Sequence, residues 1–191
     1  MDEIISPSGK FILKADFKTL KIYNQETSEI VYSTEMFHRQ KYNFFSKNGQ
    51  DWVMIAIKGT NPQIFPSLIN LETGEHFLNS NSDYRWCSIK ISPDEKTLAV
   101  DGCEWAAPYE TFFVDISQIV PGKMTDWPIL EITGMPADLW FAMHDVENTE
   151  WLPDGTFVYH QFTDSDKETL NCQIYARVID GKIQVNQVVR Y

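Results

Sequence analysis

Short apolar stretches alternate with turn-forming residues along the whole chain. Four segments share one pattern, in which an apolar residue and one further residue are followed by Pro or Lys, then Asp, Asn or Ser, then Gly or Glu, and finally an apolar strand. These segments are residues 5–9, 45–49, 91–95 and 151–155. Pro presets φ in a turn, Asp or Asn caps its own backbone, and Gly accepts the positive φ that ends the turn. The pattern predicts four tight hairpin turns, with Glu95 standing where glycine is expected.

A second hairpin follows each of these turns. Its strands are rich in β-branched and aromatic residues and alternate partly between apolar and polar positions, as half-buried strands do. The second hairpins cover residues 20–32, 67–78, 112–132 and 174–185. Each repeat is therefore predicted to be two successive hairpins with four strands, which we call A to D.

The repeats predict an all-β fold with four repeats of a four-stranded antiparallel unit in a single domain, residues 1–191. The turn residues 9, 49, 95 and 155 are spaced 40, 46 and 60 residues apart. A period of about 40–50 residues with four strands in each repeat is typical of the blades of a small, four-bladed β-propeller. The blades are expected at residues 1–33, 42–79, 86–133 and 148–191. The pattern leaves room for a short helix at residues 136–144.

With these turns placed, the chain resembles the WD-repeat-like and related β-propeller superfamily over nearly its whole length. The segment 101–110, which reads DGCEWAAPYE, also resembles the signature of a small family of uncharacterised microbial and viral proteins. That second resemblance implies no activity. The first implies either a closed four-bladed ring, which we expect to be a monomer, or an open fragment that pairs with a copy of itself as a homodimer.

Charge narrows the classes of partner. The chain has 27 acidic residues against 16 Lys and Arg, a formal net charge of −11. Such a surface repels nucleic acid and anionic lipid, because cationic side chains supply most of the affinity for both. We therefore expect no nucleic acid and no membrane partner. A basic peptide is electrostatically easier to bind. The alternative is that the negative charge only keeps the protein soluble.

Cysteine usage and the first residues favour a cytoplasmic protein without a cofactor. The three cysteines have no CxxC spacing, which argues against a disulfide framework and against a zinc knuckle. A basic segment followed by an apolar run, which would indicate a signal peptide, is not found at the start of the sequence. We expect a core large enough to need neither a metal nor a disulfide for stability.

The predicted loops differ between the two faces of such a propeller. The A–B turns are tight and three of the four C–D turns are short, whereas the D–A and B–C connections are long. The long connections are residues 34–42, 79–86 and 134–148 (D–A) and 15–19, 59–66, 101–110 and 163–171 (B–C). Long loops on a rigid scaffold are where binding groups concentrate.

Candidate binding residues on this loop face combine aromatic and charged side chains, which suits recognition of another protein. They are Trp86, Asp101, Glu104, Trp105, Tyr109, Trp140, His144 and Asp145. In segment 101–110, Trp105 could form the wall of a ligand or peptide pocket. Alternatively, Trp105 and Tyr109 fill the space between blades while Asp101 caps loop amides, and the composition favours this structural role.

No motif assigns a reaction. His144 and Asp145 offer metal-ligand chemistry together with Asp101 or Glu104, but the spacing is not that of a metal site, so no metal is predicted. Cys103 would be a nucleophile only with a histidine beside it. We favour a non-enzymatic module that binds a protein or peptide. The alternatives are a hydrolase that acts through carboxylates, and a scaffold subunit of a larger assembly.

Overall fold

The computed structural model describes residues 2–16, 18–35, 42–58, 64–79, 84–104, 110–119, 124–125, 127–139, 146–165 and 168–191. This part of the chain contains seventeen strands and no helix. The strands are β1 (Asp2–Ile5), β2 (Phe11–Ala15), β3 (Thr19–Asn24), β4 (Ile30–Glu35), β5 (Tyr42–Lys47), β6 (Gln50–Lys58), β7 (Ile64–Asn70), β8 (His76–Asn79), β9 (Tyr84–Ile91), β10 (Thr97–Glu104), β11 (Glu110–Asp115), β12 (Met124–Thr125), β13 (Ile132–Thr133), β14 (Val146–Trp151), β15 (Thr156–Ser165), β16 (Glu168–Ile179) and β17 (Lys182–Arg190). The predicted all-β class is confirmed.

The apolar and polar alternation of the sequence becomes the two faces of each sheet. In β2, Phe11, Leu13 and Ala15 are buried, while Ile12 and Lys14 between them are half-buried. Successive side chains of a strand point to opposite faces, so this alternation places one row in the core. Strand β2 thereby contributes every second residue to the apolar layer of its sheet.

The chain divides into two compact units. The first unit comprises residues 1–84 and 119–127, and the second comprises residues 85–118 and 128–191. The first unit holds two sheets with strand orders β1-β2-β3-β4 and β12-β8-β7-β6-β5. Its core is one apolar cluster drawn from both sheets: Phe11, Leu13, Ala15, Leu20, Ile22, Val53, Ile55, Ile69 and Leu71.

The second unit also holds two sheets, with strand orders β11-β10-β9 and β13-β17-β16-β15-β14. Phe157 is fully buried at the centre of its core. The Phe157 ring lies edge-on to Phe113 and Trp151, with ring centroids 4.9 and 5.0 Å away. Aromatic pairs in this geometry add to the stabilisation that comes from buried area alone.

The prediction of four equal four-stranded sheets is wrong in detail, because the sheets have four, five, three and five strands in the described parts of the chain. The expected fourth strand of the third repeat is reduced to a single bridge between Val114 and Ile129. The chain then leaves that sheet, and β13 pairs with β17 instead. Gly134 permits this close approach, since its φ is +74° and a Cβ atom there would lie 3.0 Å from the Val185 carbonyl oxygen.

The short helix that fits residues 136–144 is not formed in the described part of that range. Residues Pro136 to Leu139 make one turn, closed by the Leu139 amide donating to the Pro136 carbonyl at 2.9 Å. Residues 140–144 lie outside the part of the chain that the structure describes.

The four A–B turns are confirmed, but they are of two kinds. The first, third and fourth share the hydrogen bond from Gly9, Glu95 or Gly155 to the carbonyl three residues earlier and place that residue at positive φ, although the fourth turn is one residue shorter. Glu95 therefore adopts the conformation that glycine favours, with φ of +58°. The second turn is a two-residue hairpin in which Asn48 and Gly49 both have positive φ, as a type I′ turn requires.

The first two C–D turns have the same hydrogen bonds, although they lie in different sheets. Each begins with an asparagine, Asn24 or Asn70, whose side-chain oxygen accepts from the amides two and three residues later. In each, a threonine hydroxyl donates to the carboxylate of the glutamate that ends the turn. The fifth residue has positive φ in both turns, and it is Ser28 in one and Gly74 in the other.

Exchanging these two residues tests the backbone strain directly. Because a left-handed conformation is costly for a residue with a Cβ atom, Ser28→Gly is expected to raise the free energy of unfolding by about 0.5–1 kcal/mol. Gly74→Ser is expected to lower it by a similar amount, since a Cβ atom at Gly74 meets no atom within 4 Å and only the strain is added. Urea denaturation measures both changes. Ser28→Ala keeps the strain and is the control; stabilisation by alanine would refute the explanation.

Candidate functional site

All eight candidate binding residues belong to the second unit. Trp86 lies in β9, and Asp101 and Glu104 lie in β10. Trp105, Tyr109, Trp140, His144 and Asp145 lie outside the residues that the structure describes. Among the eight, Asp101 is the residue whose side-chain contacts are described.

The long loop predicted at residues 101–110 is shorter in the structure. Strand β10 continues through Glu104 and β11 begins at Glu110, with Asp101 paired to Thr111 across the two strands. The prediction that Asp101 lies in a loop is therefore wrong. Backbone pairing continues past the apolar run because ladder hydrogen bonds need no apolar side chain. The B–C connections after β6 and β15 are also shorter than predicted, because β7 begins at Ile64 and β15 extends to Ser165.

Asp101 joins three strands through its carboxylate. The Thr111 hydroxyl of β11 donates to Oδ1 of Asp101 at 2.6 Å. The Thr149 hydroxyl of β14, which belongs to the neighbouring sheet, donates to Oδ2 at 3.1 Å. Both threonines are buried, so these charge-assisted hydrogen bonds form away from competing water.

A half-buried lysine completes this arrangement. The Lys90 ammonium donates to the backbone carbonyl and to the hydroxyl oxygen of Thr149. Burial lowers the pKa of Lys90, and the nearby carboxylates of Asp101 and Glu150 act in the opposite direction. The indole N–H of Trp151 donates to the Lys90 carbonyl at 3.1 Å. We call Lys90, Asp101, Thr111 and Thr149 the Asp101 network.

The Asp101 network lies close in sequence to two parts of the predicted loops, residues 105–109 and residues 140–145. Asp101 is four residues before Trp105 in the sequence, and Thr111 is two residues after Tyr109. Thr149 is four residues after Asp145. The network thus ties the two strands that flank residues 105–109 to the strand that follows residues 140–145. The side chains of those two segments are outside the described residues.

Sequence reasoning missed Lys90, Thr111 and Thr149. Thr111 could have been found, because the hairpin register places it opposite Asp101. Lys90 and Thr149 are 59 residues apart, and Thr149 is 48 residues from Asp101. No local pattern marks partners at such separations.

A buried carboxylate lies in the first unit. The Asp51 side chain accepts hydrogen bonds from the Ser6 hydroxyl at 2.5 Å, from the Ser8 amide at 3.1 Å and from the Ser8 hydroxyl. Its residue is 1% exposed. Because buried charges need such partners, Asp51 acts as a structural link between the first A–B turn and β6.

The first unit also contains a serine–histidine pair. Ser67 Oγ and His76 Nε2 are 2.5 Å apart, and the Tyr32 ring lies edge-on to the imidazole with centroids 6.0 Å apart. Such a pair has the composition of a nucleophile and its base. The Ser67 residue is fully buried, so its hydroxyl is inaccessible to a substrate in this structure. Burial lowers the pKa of His76 below its usual value of 6.5.

The lowered pKa of His76 predicts a dependence of stability on pH. The folded state holds His76 neutral, whereas the unfolded chain binds a proton near pH 6.5. Unfolding therefore takes up protons between the folded and unfolded pKa values, and stability falls as the pH drops below about 6.5. Urea unfolding at pH 7.5 and pH 5.5 should show a larger loss in the wild type than in His76→Gln. Equal losses in the two proteins would contradict this explanation.

Over the described ranges, no group of three or more His, Cys, Asp or Glu side chains is arranged to hold a metal ion. None of the described residues forms a helix that could span a bilayer.

Comparison with known proteins gives one sequence relative and several structural ones. No family model matches the chain. An uncharacterised protein of Acanthamoeba polyphaga mimivirus is 29% identical over 172 residues, which are 82% of this chain. The match spans 65% of the viral protein's length. The predicted likeness to an uncharacterised viral protein is confirmed, and the role of segment 101–110 as a signature stays a prediction.

The structural neighbours are β-propellers. TolB from Acinetobacter baumannii aligns with 97% of this chain and 42% of its own, with a TM-score of 0.53 and 12% sequence identity. The Swd1 β-propeller domain from Myceliophteria thermophila aligns with 99% of this chain and 72% of its own, with a TM-score of 0.49 and 12% identity. The fold assignment rests on the likeness to TolB. The chain has a β-propeller-type fold. Each of its sheets is accordingly called a blade below.

Proposed function

We propose that the chain is a non-enzymatic module that binds a protein or peptide through residues 105–109 and 140–145 of the second unit. The observation that supports this proposal is the Asp101 network, which joins the two strands on either side of residues 105–109 to the strand that follows residues 140–145. Binding groups carried by a rigid framework lose less conformational freedom when they bind.

The composition of the two segments indicates the chemistry of the partner. They contribute the aromatic residues Trp105, Tyr109, Trp140 and Phe141, and the charged residue Asp145. Aromatic side chains provide large contact areas, and anchors of this kind dominate binding energy at protein interfaces. With a net charge of −11 on the chain, a partner with exposed basic groups is favoured.

The loss of an aromatic anchor provides the test. Trp105→Ala and Trp140→Ala are each expected to weaken capture of partners from source lysate by about thirtyfold, as truncation of an interface hot spot does. Tyr191→Ala is the matched control, because Tyr191 is an aromatic residue 75% exposed at the end of the chain. Circular dichroism verifies that all variants fold. If the wild type and the three variants capture the same partners in equal amounts, residues 105–109 and 140–145 are not the binding surface.

We further propose that the four blades form one closed ring, residues 1–191, that acts as a monomer. The repeated turns support four blades. Sedimentation equilibrium should then give a mass near 22.2 kDa. A mass near twice that value would favour an open fragment paired with its copy.

A further inference from the structure

The outer strands of the blades differ in whether a further strand pairs with their outer edge. In the second blade, the outer strand β8 carries the short parallel strand β12 on its free side. In the fourth blade, the outer strand β17 carries the short parallel strand β13. In the first blade, β4 is the last strand of its sheet, and no described strand pairs with its outer side.

The matching C–D turns show which residues of β4 correspond to the paired residues of β8. The two turns share their hydrogen bonds, so the two hairpins can be aligned through the registers of their strand pairs. In the first blade, Lys21 lies three residues before Asn24 and pairs with Ser33. In the second blade, Ser67 lies three residues before Asn70 and pairs with Leu78. Ser33 and Thr34 therefore take the places of Leu78 and Asn79, the two residues that pair with β12.

Strand β4 lacks two common features that protect a sheet edge. Natural edge strands avoid pairing with other chains by means of lysine, proline or a bulge. Residues 30–35 contain neither lysine nor proline. A bulge is present at Val31, but β17 also has a bulge and still pairs with β13. Exposed apolar side chains, Ile30 at 51% and Val31 at 43%, lie beside this edge.

We propose that the outer edge of β4 binds an extended segment of a partner protein, which adds to the first blade as a parallel fifth strand opposite Ser33 and Thr34. The two strands that occupy this position elsewhere in the chain are an apolar residue followed by threonine, Met124–Thr125 and Ile132–Thr133. Glu29 precedes β4 and the chain carries a net charge of −11, so basic residues flank the apolar–threonine pair of the partner. This surface is in the first unit and does not rest on the loop segments of the proposed function.

The probe is a synthetic peptide with the sequence Lys-Val-Lys-Ile-Thr-Val-Lys, and the protein is the full chain. Fluorescence anisotropy should show saturable binding. Methylation of alternate backbone nitrogens in the peptide removes ladder hydrogen bonds and is expected to weaken binding about tenfold. Equal binding of the methylated peptide would overturn the proposal, and so would the absence of saturable binding.

Location and direction are tested by a nitroxide label at one end of the peptide. In a parallel arrangement, a label at the carboxyl end broadens the amide NMR signal of Glu35 more than that of Ile30, and a label at the amino end does the reverse. Broadening centred on β8 or β17 would overturn the proposal. Sedimentation velocity of the chain alone should show no self-association through β4; a dimer that the peptide dissociates would identify a second copy as the occupant and overturn it too.

Discussion

Replacing Asp51 by alanine is expected to lower the free energy of unfolding of the first unit by about 3 kcal/mol, because it leaves buried donors without an acceptor. The Ser6 hydroxyl, 2.5 Å from the carboxylate, and the Ser8 amide, 3.1 Å away, both lose their partner. The residue is 1% exposed, so water has poor access to replace the carboxylate. Chemical denaturation monitored by tryptophan fluorescence measures the change.

A matched control is found in the equivalent turn of the third blade. There the Ser92 hydroxyl donates to Asp94 at 2.6 Å, and Asp94 is exposed. Because water can replace the Asp94 carboxylate, Asp94→Ala should cost only about 0.5–1 kcal/mol. Equal losses for Asp51→Ala and Asp94→Ala would show that burial of the Asp51 carboxylate is not what makes this link strong.

The second large effect is expected at Asp101. Asp101→Ala removes the acceptor of two threonine hydroxyls and a carboxylate that compensates the half-buried ammonium of Lys90. We expect the free energy of unfolding of the second unit to fall by about 2 kcal/mol, less than for Asp51 because Asp101 is only partly buried. Because the network ties the strands beside both loop segments, partner capture should weaken in the same variant. Urea denaturation and capture from lysate measure the two effects.

Asp115→Ala separates loss of stability from loss of positioning. Asp115 ends β11, at the opposite end of the hairpin from the loop segment 105–109, and its carboxylate caps the local turn at Ser117 and Gln118. The variant should lose about 1 kcal/mol of stability and keep its capture of partners. If Asp101→Ala, still folded under the assay conditions, captures partners as well as Asp115→Ala does, then Asp101 does not position the binding segments.

Much of the fold could be predicted from the sequence because its turns are specified locally. Pro, Asx residues and Gly at fixed offsets mark the A–B turns, and even Glu95 adopts the positive φ that the repeat requires. The Asp180–Gly181 turn between β16 and β17 also follows from its dipeptide. Local chemistry fixes the backbone at these places, so no distant contact is needed to predict them.

The parts that could not be predicted depend on distant contacts. The strands β12 and β13 are two residues long, and each forms by parallel pairing with a strand more than 40 residues away in sequence. Strand β10 extends through polar residues as far as Glu104, because backbone pairing does not depend on side-chain polarity. The sequence indicates Asp101 as a candidate, but its partners Thr149 and Lys90 come from other strands. Neither sequence spacing nor composition carries that information.

Photo-cross-linking tests most directly whether residues 105–109 and 140–145 form one binding surface. A photoreactive phenylalanine analogue replaces Trp105, Trp140 or the control residue Tyr191 in separate full-length chains, which are irradiated in source extract. We expect the first two chains to cross-link to the same protein, identified by mass spectrometry, and the Tyr191 chain not to cross-link to it. Different proteins captured from positions 105 and 140, or the same protein captured equally from all three positions, would contradict a binding surface formed by these two segments.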